Sequence, residues 1–230
     1  MIPLKDTIPS RTYPYINVFL IFVNLCLFFY ELSLGSWQLT RFIYTYGLVP
    51  RRFFSFSHQQ VAISRYIPLF TSLFLHGGWL HIIGNMLFLW IFGDNVEDSM
   101  GHFKYLVFYL LCGIIAGFFH LYLNPNSSVA AIGASGAISG VMGAYFVLFP
   151  GSRIITLLPV FFFFSFVEIP AFVFIGIWFL FQLFSGTISL VTRGICEGGV
   201  AWWAHVGGFI SGMGLVFIFA RYKKHRRYFL

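Results

Sequence analysis

Ser135 and His205 are the residues whose types and settings could do chemistry. Ser135 lies in Gly133-Ala134-Ser135-Gly136, at the start of an apolar, glycine-studded run to about Phe149. His205 lies in Ala204-His205-Val206-Gly207-Gly208, inside a second apolar run. Polar side chains are expensive inside a bilayer and are by default functional there. A serine nucleophile with a histidine as general base, then general acid toward a leaving amine, would perform hydrolysis within the membrane.

Such chemistry also needs donors aimed at the oxygen that becomes negative. His81 and Asn85 are four residues apart and share one face of a helix. The Ser135 amide can join them, since it falls at a helix N-terminus, where N–H groups are unpaired and the dipole favours anions. No Asp or Glu is read beside these residues in a span, so a dyad is the economical reading rather than a triad. Each piece also has a plainer origin. Small residues are common at helix contacts in lipid, and a lone His or a His-x-x-x-Asn pair can serve as an interhelical hydrogen bond. His76, His81, His120 and His205 could instead gather a metal, but no carboxylate or thiolate accompanies them, so neither metal nor cofactor is expected.

The elements that must position these groups follow from composition. Of 230 residues, 59% are hydrophobic and 9% charged, with 32 Phe and a mean hydropathy of +0.84. A soluble domain would carry about 25% charged residues, so lipid must cover this chain. The net charge of +7 does not point to nucleic acid, because five basic residues crowd Arg221–Arg227, after the last apolar run. Such a cluster suits anionic head groups on the cytoplasmic side. Cys26, Cys112 and Cys196 make no disulfide framework. The first apolar run is too long for a signal peptide and has no small-residue cleavage site, so it reads as a span.

Six spans are expected, from nearly charge-free runs. They are Ile16–Leu34, Trp79–Phe92 (closed by Gly93-Asp94-Asn95), Phe103–Leu123, Ser135–Phe149, Ala171–Phe184 and Val200–Tyr222. Gly35–Gly78, with Arg41, Arg51, Arg52 and Arg65, reads as a large first extracytoplasmic loop with short interfacial helices. The expectation is an all-α membrane protein of one domain over residues 1–230. Residues 1–15 would form a cytoplasmic N-terminal segment and 223–230 a basic cytoplasmic tail, placing both termini on that side, as in the cell membrane. Gly136 with Gly140, and Ala204 with Gly208 and Gly212, have the small-xxx-small spacing that lets helices approach closely. If those faces meet, Ser135 and His205 come into reach of each other. The fifth span, built from bulky groups, is the expected gate, with Trp178 and Phe179 its named residues.

The sequence resembles the rhomboid intramembrane serine proteases in three ordered segments within about Tyr66–Ile218. These are His76-Gly77-Gly78-Trp79-Leu80-His81-Ile82-Ile83-Gly84-Asn85, Gly133-Ala134-Ser135-Gly136-Ala137-Ile138-Ser139-Gly140 and Ala204-His205-Val206-Gly207-Gly208-Phe209-Ile210-Ser211-Gly212. The resemblance implies a rhomboid-like six-helix bundle with a water-accessible cavity, a Ser135–His205 dyad, and an oxyanion site from His81, Asn85 and the Ser135 amide. It further implies that transmembrane or juxtamembrane segments of other membrane proteins are cleaved after arriving from the side near the fifth helix. One departure stands out: Ile67-Pro68 lies where many members carry Trp-Arg, which bears on how the first loop is anchored. Two other classes compete. A chaperone or adaptor of related fold would bind transmembrane segments without cutting them, and would not need Ser135 and His205. A transporter would show internal repeats, and none is readable.

Overall fold

The computed structural model describes residues 1–55, 62–160, 163–191 and 200–220. Cys196 and the basic tail from Arg221 onward therefore lie outside the described residues. In chain order the elements are strand β1 (Ile2–Asp6) and helices α1 (Tyr15–Ser33), α2 (Ser36–Tyr46), α3 (Pro50–Phe54) and α4 (Ala62–Thr71). After a 3-10 turn (Ser72–Phe74) come α5 (Trp79–Met100), α6 (His102–Leu123) and α7 (Ser135–Leu148). Strands β2 (Arg153–Val160) and β3 (Phe163–Pro170) lead to α8 (Ala171–Val191) and α9 (Trp202–Phe219).

The protein is a multi-pass helical membrane protein. α1, α6, α8 and α9 are each long and apolar enough to cross a bilayer. α5 passes the same test together with α4, from which it is bent by 81° at Leu75-His76-Gly77-Gly78. α7 has only 14 residues. The six expected runs are thus all helical, and α2, α3 and α4 are the short helices expected of the first loop.

The second span does not close at Gly93. Helix α5 continues through Asp94 and Asn95 to Met100. Gly93 marks a close approach instead, because a methyl group there would lie 2.0 Å from Asn17 Oδ1 and 2.7 Å from the Tyr105 hydroxyl. The acidic turn after it has partners that hold it helical. Glu97 accepts the Ile16 and Asn17 amides at 3.0 and 2.8 Å, supplying the acceptors that the first turn of α1 lacks. Gly101, at φ 85°, then reverses the chain directly into α6. The fifth span is also longer than expected, running past Phe184 to Val191.

A three-stranded antiparallel sheet, ordered β1-β2-β3, joins the helices. It draws the N-terminal segment onto the chain between α7 and α8: Ile2 pairs with Leu157 and Asp6 with Ile154. Asp6 is buried, accepting from Asn95 Nδ2 at 2.7 Å and the Tyr145 hydroxyl at 2.6 Å.

The core is centred on α7, sheathed by α5, α6 and α9. Gly208 and Gly212 press on the backbone of α7 so closely that a methyl on either would lie 2.0 Å from the Gly136 or Gly140 carbonyl oxygen. Gly143 returns the contact onto the Phe209 carbonyl. The two small-residue faces meet as their spacing anticipates. Where Ile67-Pro68 replaces Trp-Arg, the first loop has other anchors. Arg65 lies over the Phe53 ring at 4.4 Å. Phe53 packs edge-on to Phe118 of α6. Leu48 exchanges both backbone hydrogen bonds with Ala131, just upstream of α7.

Candidate active site

The site begins at the chain reversal before α7. Gly133 has φ 123°, a conformation only glycine adopts readily, and its amide donates to the Ser72 carbonyl at 2.9 Å. Ala134 is the cap and Ser135 the first helical residue. The helical ladder opens with Ile138 N–H to the Ala134 carbonyl. The Ser135, Gly136 and Ala137 amides therefore precede it, at the positive end of the helix dipole. α7 has 14 residues and so spans about 21 Å, against a hydrocarbon layer of about 30 Å.

Ser135 Oγ is 2.7 Å from His205 Nε2. His205 is 8% exposed while Ser135 is half-buried, so the serine is the partner open to an incoming group. Ser139, one turn deeper, gives its hydroxyl to the Ser135 carbonyl at 2.6 Å and is turned away from this role.

His81 and Asn85 lie together where their spacing puts them. A methyl placed on Gly133 would be 2.6 Å from His81 Nε2 and 3.5 Å from Asn85 Nδ2. Both nitrogens thus face the backbone immediately before Ser135. His81 Nδ1 accepts from the Gly77 amide at 3.4 Å, which leaves Nε2 as the protonated, donating nitrogen. Asn85 Nδ2 is buried with no acceptor among the described residues. Buried donors are nearly always paired, and an orphan beside a helix N-terminus is a place for a negative oxygen. His76 packs its ring edge-on to His81 at 5.2 Å, and its amide donates to the Glu31 carboxylate at 3.2 and 3.3 Å. Glu31, inside the first span, is an acidic residue closer to this site than the sequence reading allowed for. It serves the turn that carries His81 and does not touch the Ser135–His205 pair.

The residue that sequence reasoning missed is Gln182. Its Oε1 is 2.8 Å from His205 Nδ1, where a carboxylate would complete a triad. Its signal was present, as it is the one amide or ionisable side chain in the aromatic run Ala171–Phe184. The two expected gate residues separate. Phe179 stacks on Phe209 at 4.5 Å. Trp178 lies against the His205 ring itself, at 6.1 Å, so it is also a wall of the reaction centre. The four histidines of the metal reading do not gather. Among the described residues, no three His, Cys, Asp or Glu side chains converge.

Comparison with known proteins shows the family. The Rhomboid domain profile matches residues 64–222, most of the chain and every site residue named above. The mitochondrial Rhomboid protein 1 of Saccharomyces cerevisiae is 29% identical over 186 residues, 78% of this chain and 47% of that protein. The putative rhomboid protease YdcA of Bacillus subtilis is 33% identical over 85 residues, 37% of this chain and 42% of that protein. The Presenilin-associated rhomboid-like protein A, mitochondrial, of Danio rerio is 30% identical over 108 residues, 46% of this chain and 28% of that protein. The chain spans about half the length of the yeast relative and less of the other two. With the profile covering the helices that bring Ser135, His205, His81 and Asn85 together, the chain belongs to the rhomboid family.

Proposed function

We propose that this protein is an intramembrane serine endopeptidase, cleaving transmembrane or juxtamembrane segments of membrane proteins by a Ser135–His205 dyad. The observation that carries this is the 2.7 Å contact of Ser135 Oγ with His205 Nε2 at the N-terminus of α7. In this reading His205 Nε2 takes the hydroxyl proton as Oγ attacks the scissile carbonyl. The oxygen of the tetrahedral adduct turns toward His81 Nε2–H, Asn85 Nδ2–H and the Ser135 amide. His205 then returns the proton to the leaving amine, and water repeats the cycle to release the acyl group.

The geometry also favours access from lipid beside α8. The close contacts of α7 and α9 are backbone against backbone, whereas α8 meets α5 through phenylalanine rings such as Phe88 and Phe174. Side chains can part where interlocked backbones cannot. A six-span reading leaves both termini on one side of the bilayer, which we assign to the cytoplasmic side of the cell membrane, with the first loop on the opposite side.

The test is co-reconstitution with chimeric transmembrane substrates, together with a fluorophosphonate probe. Cleavage that is lost in Ser135→Ala, and probe label on Ser135 alone, are expected. Binding of the substrate without cleavage, with Ser135 inert to the probe, would overturn the protease reading in favour of an adaptor.

A further inference from the structure

Helix α8 reaches the reaction centre through two side chains one turn apart. Trp178 and Gln182 are separated by four residues and so lie on one face. Trp178 covers the His205 ring, tilted by 32°, and Gln182 Oε1 meets His205 Nδ1 at 2.8 Å. Gln182 is 4% exposed on a helix otherwise rich in aromatic and aliphatic groups. Further along α8, Thr187 and Ser189 turn their hydroxyls back to carbonyls of their own helix. Gln182 spends its oxygen across the helix interface instead.

We infer that Gln182 is a positioning residue for His205 and that, because it is carried by α8, the dyad is armed only while α8 is docked. This rests on the protease reading and adds a requirement to it. An amide oxygen only accepts, so it holds the His205 proton on Nδ1 and leaves the Nε2 lone pair facing the Ser135 hydroxyl. Without that acceptor either ring nitrogen can carry the proton, and the tautomer with Nε2–H cannot take one from serine. The acceptor is neutral, so it fixes tautomer and ring orientation without placing a charge in the membrane.

Alongside the hydrogen bond from Trp203 Nε1 to the Gly186 carbonyl at 3.1 Å, α8 is held here by ring contacts, which can slip. Phe179 stacks on Phe209, and Phe174 lies beside Phe88. A substrate segment wedging α8 from α5 stretches the Gln182–His205 bond as it passes. Access and attack are then sequential: the segment enters with the base unset, and chemistry follows when α8 closes on it. The conformation competent for attack is a fraction of the ensemble, and anything that loosens α8 lowers that fraction.

The experiment uses the full chain in nanodiscs, with a fluorophosphonate that reaches Ser135 directly and a chimeric transmembrane substrate. Gln182→Leu should lower both the labelling rate and kcat by about 10- to 100-fold, with KM little changed, as for loss of one buried acceptor. Gln182→Glu, whose carboxyl oxygen accepts in either protonation state, should restore most of the rate. Nitrogen-15 NMR of the His205 ring should show Nδ1 protonated in the wild type and mixed tautomers in Gln182→Leu. Should Gln182→Leu melt early, Gln182→Met, which is close in shape and lacks the acceptor, carries the same expectation. Phe174→Ala, which loosens α8 away from the dyad, should slow probe labelling several-fold. Wild-type kcat in Gln182→Leu, equal losses in the Leu and Glu variants, or a rise in KM alone would overturn the role of Gln182. Unchanged labelling in Phe174→Ala would overturn the coupling to α8. A wild-type Ser135 inert to the probe would instead remove the protease reading itself, a distinct result.

Discussion

In the proposed mechanism Ser135 and His205 pass one proton between them, which makes their losses non-additive. Ser135→Ala and His205→Ala should each abolish cleavage of a chimeric substrate, and the double variant should be no worse than either. Residual activity in one single variant that vanishes in the double would contradict the shared step. His81→Ala and Asn85→Ala should lower kcat with KM nearly unchanged, each by up to about 2.7–4 kcal/mol of transition-state stabilisation. Steady-state kinetics separates that outcome from a docking role, which would raise KM. These four residues were legible because polar groups in apolar runs are costly and their neighbours are small. Gln182 was not. It stands out as the one amide in an aromatic run, but its meaning depends on a residue 23 positions away on another helix. The orphan Asn85 Nδ2 likewise becomes visible only once Gly133 is placed against it.

Among the elements, the junction of α7 with α9 has the least tolerance. Gly208→Leu would drive a side chain into the Gly136 carbonyl, 2.0 Å from the first added atom. Thermal unfolding should show destabilisation at the upper end of, or beyond, the about 1–3 kcal/mol typical of overpacking, and probe labelling should fall with it. At the contact of α5 with α8, Phe88→Cys/Phe174→Cys joined by a short thiol crosslinker should stop cleavage of transmembrane substrates. Ser135 should keep its reactivity toward the small probe. Normal cleavage in the crosslinked protein would place access elsewhere. The helices were readable as apolar runs, but their ends were less so. Gly93-Asp94-Asn95 has the composition of a stop, yet Glu97 and Asn95 are held in helix by partners about 80 residues upstream. The β2–β3 hairpin was hidden because its run Val160–Phe164 lacks alternation and Pro159 and Pro170 argue against strand.

For the molecule as a whole, the network around Asp6 sets a pH dependence outside the membrane spans. Burial raises the Asp6 carboxyl above the ordinary carboxylate range, outweighing the hydrogen bonds from Tyr145 and the Ile8 backbone that lower it. A raised folded value means the folded state holds this proton more tightly than the unfolded chain. The contribution to stability is therefore complete below the ordinary value and is lost as pH rises through the folded one. Melting temperature should climb on mild acidification from neutral pH, and Asp6→Asn should flatten that climb. A steeper climb in the variant would refute the assignment. The long apolar helices and the meeting of their small-residue faces were available from spacing. The tie between the chain's two ends of the sheet was not, since nothing local in Ile2–Asp6 names a partner so distant.

That tie has a consequence for how the protein is made. β1 leaves the ribosome well before its partner, since Leu157 follows Ile2 by about 150 residues. At about 5–20 residues per second the strand waits roughly 8–30 s, while α1, α5, α6 and α7 are threaded into the bilayer. The sheet is thus a late closure, of high contact order in a chain whose helix hairpins form locally. Since β3 runs without a break into α8, the footing of that helix is among the last parts to set. Pulse-chase with a cysteine pair across Ile2 and Leu157 should find this crosslink forming after the first four long helices resist protease, and a nascent chain halted before β2 should hold those helices with its amino end still free.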